Sequence, residues 1–303
     1  MKVLVTGGAG FIGSNLTDKL LSLGYDVTVV DNESADCHDQ FYWNPKADNH
    51  KVDINDFDAL RPLLTDARYV FHLAAESRIQ PSLVNPLQAV KTNVLGTANV
   101  LQTAREAGVK RVMYSSTSSA YGLKNNIPLE ESMPNDCLNP YSVSKTSGEE
   151  LCKLYTRLFG LETVIFRYFN VYGTRQPVKG QYAPVVGLFI RQRDAGEPLT
   201  VVGDGHQTRD FTDVRDVVQT NILAALSTKQ EIAGETLNVG TGRNHSVLDV
   251  AQMVGGEIEF IPARLGEARH TKASTNKIER LFDGWKPERQ LEDWILEYGQ
   301  PKK

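Results

Sequence analysis

Tyr141 and Lys145 are the residues best placed to do acid–base chemistry, because they stand four positions apart in a stretch with helical periodicity. One turn of helix brings both side chains to the same face. A free phenol has a pKa of about 10, and a nearby ammonium group favours its ionised form. We therefore predict that Tyr141 removes a proton from a substrate hydroxyl group, with Lys145 as its charged partner.

A glycine-rich turn near the amino terminus could bind phosphate groups. Gly7, Gly10 and Gly13 directly follow a predicted strand and open a predicted helix. Residues without a Cβ atom allow a tight turn, the approach of a pyrophosphate to N–H groups at the helix N-terminus, and close packing of helix on strand. This context predicts a dinucleotide-binding site.

Asp31 indicates which dinucleotide is bound. It follows the next predicted strand, where its carboxylate can accept hydrogen bonds from both ribose hydroxyls of an adenosine. No arginine follows closely to bind a 2′-phosphate, and Asn32 and Glu33 would not bind one. We predict NAD rather than NADP, and the cationic nicotinamide ring would further favour the ionised form of Tyr141.

Alternating strands and helices must position these residues. Short β-branched runs predict strands, and apolar residues at three- and four-residue spacing predict helices. The predicted strands cover residues 3–6, 26–30, 69–73, 111–116 and 163–167, and the predicted helices cover residues 12–23, 86–107 and 141–159. This alternation predicts an α/β fold with a doubly wound parallel sheet of the Rossmann type.

A smaller second lobe is predicted after Asn170, where glycine and proline become frequent. A helix that ends near residue 195 and a strand at 199–202 follow, and a later strand at 236–239 could rejoin the main sheet. We predict an NAD-binding domain of residues 1–170, rejoined by about 210–240, and a discontinuous substrate-binding lobe of residues 171–209 and 241–303.

Composition narrows the possible partners. The 303 residues carry a net charge of -4 without a basic run, which argues against nucleic acid as a partner. The 3 cysteines lack metal-ligand spacing, so we predict reduced thiols and no metal site. The apolar run at the amino end is too short for a signal peptide or a spanning helix, so we expect a cytoplasmic protein without a membrane partner.

Several further segments resemble one family, the extended short-chain dehydrogenases, and among them the nucleotide-sugar epimerases and dehydratases. The likeness spans almost the whole chain and rests on the glycine turn, Asp53 with Ile54, residues 72–75 (HLAA), 93–97 (NVLGT), 114–122 (YSSTSSAYG) and 167–173 (RYFNVYG), and Tyr141 with Lys145. It implies that Thr117 supplies a hydroxyl beside Tyr141. The NAD-contacting residues implied are Gly7, Gly10, Phe11, Ile12, Gly13, Asp31, Asn32, Asp53, Ile54, Leu73, Ala74, Ala75, Asn93, Ser115, Tyr141, Lys145 and Tyr168.

The resemblance also bears on the reaction. Dehydratases of this family place an acidic pair directly after the threonine, and similar decarboxylases usually have a glutamate in this run, whereas this chain has Ser118 and Ser119. Epimerisation at C4 of a UDP-sugar needs only Thr117, Tyr141, Lys145 and NAD. The hydride taken from C4 would return to the other face of a transient 4-keto sugar, so NAD would stay tightly bound and not be consumed.

The substrate contacts implied by the resemblance lie in the second lobe. Arg209 and Arg264 would bind the diphosphate, with local ion pairing to Asp210 or Glu267 as the alternative. Asn170 would reach the phosphate or the sugar. Residues 199–202 would flank the uracil, chiefly through Thr200 and Val202.

Thr271 resembles the small residue of epimerases that accept N-acetylated sugars. The favoured pair is therefore UDP-N-acetylglucosamine and UDP-N-acetylgalactosamine, followed by UDP-glucose and UDP-galactose. Epimerases of UDP-uronic acids can carry a similar small residue. A dehydratase, a reductase of the same family and a non-catalytic NAD-binding protein are the remaining alternatives.

Two further features complete the expectations. The predicted helices 86–107 and 141–159 resemble those that pair into a four-helix interface in this family, which implies a homodimer. Ser77 stands where some galactose epimerases carry a lysine that reaches the nicotinamide ribose. The segment 37–49 matches no pattern and receives no role.

Overall fold

The computed structural model describes residues 1–38, 40–178 and 183–298. Residues 39, 179–182 and 299–303, which belong to the unassigned segment 37–49 and to the predicted second lobe, lie outside the described residues. The strands are β1 (Lys2–Thr6), β2 (Asp26–Asp31), β3 (Asp48–Lys51), β4 (Tyr69–His72), β5 (Arg111–Thr117), β6 (Glu162–Tyr168), β7 (Val171–Tyr172), β8 (Leu199–Val202), β9 (Thr208–Arg209), β10 (Thr212–Asp213), β11 (Glu235–Val239), β12 (His245–Ser246) and β13 (Ile258–Ile261).

The α-helices alternate with these strands along the first half of the chain. They are α1 (Phe11–Ser22), α2 (Phe57–Leu60), α3 (Ile79–Val84), α4 (Pro86–Val90), α5 (Thr97–Glu106), α6 (Pro140–Phe159), α7 (Val185–Asp194), α8 (Val214–Leu226), α9 (Val247–Val254), α10 (Asn276–Leu281) and α11 (Leu291–Tyr298). Short 3-10 helices cover Arg61–Leu64, Ser118–Tyr121 and Gln230–Ile232, and a π-helix covers Lys91–Gly96.

A seven-stranded parallel sheet has the order β11-β6-β5-β4-β1-β2-β3. Strands β1 and β4 are neighbours although two strands separate them in sequence, so the strand order reverses between them. Ligands of open α/β sheets bind outside the carboxyl ends of the strands at such a reversal. The predicted α/β Rossmann sheet is therefore confirmed, and its reversal point lies directly beside the glycine turn.

Both faces of the sheet are buried, as β1 illustrates. Val3 and Val5 belong to one apolar core together with residues of α1 and α8. Leu4, between them, belongs to a second core together with residues of α5 and α6. Successive side chains of a strand point to opposite faces, so an uninterrupted apolar run is what a doubly covered strand requires.

A third apolar core lies in the second half of the chain, formed by α7, β8, α9 and α11. Tyr172 enters it and stacks edge to face on Trp294, with 5.5 Å between the ring centroids. Strand β11 instead pairs with β6 in the main sheet. These cores support the predicted two-lobe division, whose boundaries stay a prediction.

Strand β3 and the helical stretch 86–107 illustrate how the structure differs from the expectations. Strand β3 has the sequence DNHK, which lacks apolar alternation because it is an exposed edge strand, and no strand was predicted there. The predicted helix 86–107 consists of α4, the π-helix and α5 in succession. Among the helices of the described residues, none is both long and apolar enough to cross a membrane.

Candidate active-site cleft

A cleft of about 510 Å³ lies between the carboxyl edge of the main sheet and the third core. It collects most of the predicted site residues from both halves of the chain. Those that line it are Gly7, Gly10, Phe11, Ile12, Gly13, Asp31, Asn32, Ile54, Leu73, Ala74, Ala75, Ser115, Thr117, Tyr141, Lys145, Tyr168, Asn170, Thr200, Val202, Arg209, Arg264 and Thr271.

Two glycines of the turn, Gly7 and Gly13, leave no room for a side chain. Gly7 has φ +67°, and a Cβ atom there would lie 2.7 Å from the backbone nitrogen of Ala74. A Cβ atom at Gly13 would lie 2.0 Å from the carbonyl oxygen of Gly7. The turn is thus a bare backbone cradle at the start of α1, which suits the pyrophosphate of a dinucleotide.

Asp31 lies beside this cradle at the end of β2. Its carboxylate accepts hydrogen bonds from the backbone N–H groups of Ala9, at 3.1 Å, and Glu33, at 2.8 Å. Burial raises the pKa of Asp31, and these two hydrogen bonds oppose the rise. The cradle and the adjoining carboxylate fit the pyrophosphate and the adenosine ribose of NAD.

Two predicted cofactor residues, Asp53 and Asn93, are not among the described residues that line the cleft. Asp53 accepts a hydrogen bond of 3.1 Å from the side chain of Asn32. Asn93 is buried, and its amide binds the backbone of Glu76 and the hydroxyl of Ser144, each at 2.9 Å. Both residues brace the wall of the cleft in this structure, and their contact with NAD stays a prediction.

Helix α6 presents Tyr141 and Lys145 to the cleft. Asn139 caps the helix, because its side-chain oxygen accepts a hydrogen bond of 2.8 Å from the N–H group of Ser142. Pro140 fixes the backbone at the first helical position. This cap places Tyr141 in the first turn and Lys145 in the second, both facing the cleft.

Burial shifts the pKa values of both Tyr141 and Lys145. The ammonium of Lys145 lies 4.5 Å from the ring centroid of Tyr114, and burial lowers the pKa of Lys145 to about 8, with Glu149 opposing the change. Burial raises the pKa of Tyr141, whereas its hydrogen bond with Thr117 acts to lower it. Without NAD the net shift of the Tyr141 pKa is upward, so the lowering expected from Lys145 together with the nicotinamide ring stays a prediction for the NAD complex.

Tyr168 and Ser115, two other predicted NAD contacts, lie behind this pair. The hydroxyl of Ser115 donates to the phenol of Tyr168 over 3.3 Å, and the amide of Asn221 donates to the same phenol over 2.7 Å. Burial raises the pKa of Tyr168 to about 12. Burial raises the pKa of Tyr141 as well, so what distinguishes Tyr141 as the candidate base is its hydrogen bond with Thr117 and its position one turn before Lys145 on α6.

Arg209, on β9, also lines the cleft. Its guanidinium pairs with the carboxylate of Glu267 at 3.4 Å and donates to the carbonyl oxygens of Thr208 and Arg269. Asp210, in contrast, accepts hydrogen bonds from the 241–242 turn and from the N–H group of Ala273. The local ion pair expected as the alternative to phosphate binding is therefore present between Arg209 and Glu267, while Asp210 is held by the groups named above.

The other predicted substrate residues surround the same end of the cleft. Thr200 lies on β8, where its backbone and hydroxyl bind the side chain of Gln192. Asn170 has φ +25° and donates from its amide to the carbonyl oxygen of Asp210 over 2.9 Å. Thr271 is buried, and its N–H group donates to the carbonyl oxygen of Thr208, the neighbour of Arg209, over 3.1 Å.

Part of the lining was not predicted. Residues 78–80 follow β4, and His38 and Phe41 belong to the segment that received no role. The rule that ligands gather beyond the carboxyl ends of parallel strands was the available signal for both groups, because both follow such strands.

The burial of His72, at the end of β4, leads to a prediction about how stability depends on pH. It is fully buried between the hydroxyls of Thr6 and Thr97, at 2.7 and 3.0 Å, and burial lowers its pKa to about 3. Below pH of about 6.5 the unfolded chain binds a proton that the folded protein cannot accept. The free energy of unfolding should therefore fall by about 1.4 kcal/mol per pH unit from this group between pH 6.5 and pH 3.

Urea unfolding at pH 7 and pH 5 tests this expectation. His72→Gln can still hydrogen-bond to both threonines but does not titrate, so its loss of stability over this range should be about 2 kcal/mol smaller than that of the wild type. Equal losses in the two proteins would contradict the role given to His72.

Comparisons with known proteins agree with this architecture. The model of the NAD dependent epimerase/dehydratase family matches residues 3–240. A putative UDP-glucose 4-epimerase from Methanocaldococcus jannaschii is 39% identical over 97% of this chain and 95% of its own length. The UDP-glucose 4-epimerase of Thermotoga maritima, solved with UDP-glucose, has a TM-score of 0.91 and 34% identity, and covers 97% of this chain and 96% of its own.

A third similar protein is the UDP-N-acetylglucosamine 4-epimerase of Methanobrevibacter ruminantium, solved in complex with UDP-N-acetylmuramic acid. It has a TM-score of 0.90 and 31% identity, over 98% of this chain and 96% of its own. The family match covers more than half of the chain and coincides with the glycine cradle, Asp31 and the Tyr141–Lys145 pair. This chain belongs to the NAD-dependent epimerase/dehydratase family.

Proposed function

We propose that this protein is a UDP-sugar 4-epimerase that keeps its NAD bound through the reaction. The observation that carries the proposal is the composition of one cleft. Thr117, Tyr141 and Lys145 line the same cleft as the glycine cradle and as Arg209 and Arg264. A nucleotide sugar held by its diphosphate at the arginines would extend its sugar toward Tyr141.

The protein's groups would act as follows. Tyr141 removes the proton of the sugar 4-hydroxyl, and Thr117 shares a hydrogen bond with that phenol. Bound NAD supplies the acceptor, and later the donor, of the hydride at C4. Arg209 and Arg264 hold the diphosphate while the 4-keto sugar turns its other face toward Tyr141, which then returns the proton.

The segment after Thr117 favours epimerisation over dehydration or decarboxylation. Ser118 and Ser119 line the cleft there, and neither side chain can act as the carboxylic acid or base that removal of a C6 hydroxyl requires. The N–H group of Ser119 donates to the hydroxyl oxygen of Thr117 over 3.1 Å, which holds Thr117 in place.

For the sugar itself we propose UDP-N-acetylglucosamine and UDP-N-acetylgalactosamine first, and UDP-glucose and UDP-galactose second. The small side chain of Thr271 lines the cleft and supports this order, because it leaves space for an acetamido group. A UDP-uronic acid is the alternative substrate, since a small residue at this position is compatible with it as well.

Product analysis by NMR tests the function. The protein as purified, given UDP-N-acetylglucosamine alone, should form the galacto epimer without added nicotinamide. A substrate with deuterium at C4 should give a product that keeps the deuterium at C4, because the same hydride returns. A 6-deoxy-4-keto product would indicate a dehydratase, and the absence of an epimer from a panel of UDP-hexoses and UDP-hexuronic acids would overturn the proposal.

We propose a homodimer as the assembly. Apolar side chains are exposed on the helices that the sequence associates with an interface, including Leu87 on α4, Leu95 on the π-helix and Val143 on α6. Exposed apolar groups on these helices support a contact with a second copy.

A further inference from the structure

Residues 40–44, to which the sequence assigns no role, lie across the glycine turn, and we name them the cover. The N–H group of Tyr42 donates to the carbonyl oxygen of Ala9, inside the turn, over 2.8 Å. Phe41 lines the cleft, and the indole of Trp43 donates to the carboxylate of Glu33 over 2.8 Å. The cover therefore closes one side of the space beside the cradle.

The cover is tied to Arg175, which comes from the other half of the chain. The guanidinium of Arg175 lies 5.1 Å from the ring centroid of Tyr42 and pairs with one carboxylate oxygen of Asp18 at 2.6 Å. The second oxygen of Asp18 accepts a hydrogen bond of 2.6 Å from the amide of Asn44. Asp18, which lies on helix α1, thus binds both Arg175 and the cover.

Arg175 is also held in an unfavourable backbone conformation. Its φ of +68° lies in the left-handed region, which side chains other than glycine, asparagine and aspartate rarely adopt. The preceding carbonyl oxygen, of Thr174, accepts a hydrogen bond of 2.9 Å from Asn15 on α1. Such a conformation persists where neighbouring contacts fix it, and here the contacts are those with α1 and the cover.

We propose that Arg175 is a cofactor-retaining residue that latches the cover over the dinucleotide site, so that NAD leaves only when this contact opens. The side chains of Arg175 and Asp18 are only 27% and 38% exposed, so their ion pair is partly shielded from water. Arg175 precedes α7, a helix of the third core, so the latch connects the cofactor site with the second half of the chain. The inference depends on NAD binding and not on the epimerase reaction.

The rate of NAD release tests the latch directly. The protein is loaded with NAD, desalted and diluted into buffer that contains ethanol and alcohol dehydrogenase. The dehydrogenase oxidises ethanol and reduces each released NAD to fluorescent NADH. Arg175→Asn tolerates the positive φ but removes the charge and the stacking, and it should raise the release rate roughly five- to tenfold. Arg175→Lys, which keeps only the charge, should give an intermediate rate.

Matched variants separate the latch from general effects. Asp18→Asn should speed release to a similar degree, and the double variant should add little, because both changes open one contact. Arg61→Ala removes a surface ion pair with Glu106 on α5, which does not involve the cover, and should leave the release rate unchanged.

Thermal unfolding of the NAD-free proteins checks that the variants fold. If Arg175→Asn is poorly folded, Tyr42→Leu, which removes the ring beneath the guanidinium, provides the same test from the cover side. Release of NAD at the wild-type rate by a folded Arg175→Asn or Tyr42→Leu variant would overturn the inference. Because the readout is free NAD, failure of the proposed epimerisation would not affect this result.

Discussion

Replacing Tyr141 by phenylalanine is expected to lower kcat by about 10³ while NAD remains bound, which is within the range that one acid–base group contributes. In the proposed reaction the Tyr141 phenol takes the proton of the sugar 4-hydroxyl, because it hydrogen-bonds with Thr117 and shares the cleft-facing side of α6 with Lys145. The glycine cradle and Asp31, which fit the dinucleotide, are untouched by the change. The loss should therefore appear in turnover and not in cofactor content.

Turnover of the UDP-sugar and the NAD content of the purified variant are the two measurements. Tyr155→Phe is a matched control, because Tyr155 lies on the same helix but donates its hydroxyl to Gln102, away from the cleft. The control should retain wild-type activity. If Tyr141→Phe also retains it, another group must act as the base, and the proposed chemistry fails at its first step.

Much of the cofactor site was predictable because it depends on local sequence. A glycine turn between a strand and a helix requires only about ten consecutive residues, and Asp31 follows from the end of the next strand. The doubly covered strands were also predictable, since Leu4 and its neighbours form an unbroken apolar run. Edge strand β3 was not, because its exposed polar residues carry no such pattern.

Features that depend on the packing of distant segments could not be predicted. Whether Arg209 pairs with Glu267 or Asp210 is decided by the path of the 264–268 loop and by the 241–242 turn. The pKa of Lys145, about 8, follows from its burial among side chains of other elements. The contact of Arg175 with the cover joins residues more than 130 positions apart, beyond the reach of any motif.

A buried ion pair behind helix α6 also escaped prediction. Glu149, one turn after Lys145, is 0% exposed, and Arg167 on β6 is 3% exposed. The guanidinium of Arg167 donates to both carboxylate oxygens of Glu149, at 2.9 and 2.7 Å, and its other neighbours are Asn135 and the ring of Tyr121. This pair fixes α6 to β6 and thereby fixes the position of Tyr141 and Lys145.

Arg167→Met should lower the free energy of unfolding by about 3–5 kcal/mol, because it leaves the carboxylate of Glu149 buried without its cation. Urea unfolding measures the effect. The matched control is Lys153→Met, which removes the partner of Glu150 on the same helix, where the two side chains are 39% and 66% exposed. That change should cost less than about 1 kcal/mol.

The double variant Glu149→Leu with Arg167→Met shows whether the cost comes from the stranded charge. Replacing both members by apolar residues removes the buried carboxylate, so a large part of the lost stability should return. If the double variant is as unstable as Arg167→Met alone, the cost comes from packing and not from charge. The kcat of the double variant tests whether the pair positions α6. If it does, kcat should stay lowered after stability recovers, because hydrophobic contacts restore the fold but not the two directional hydrogen bonds.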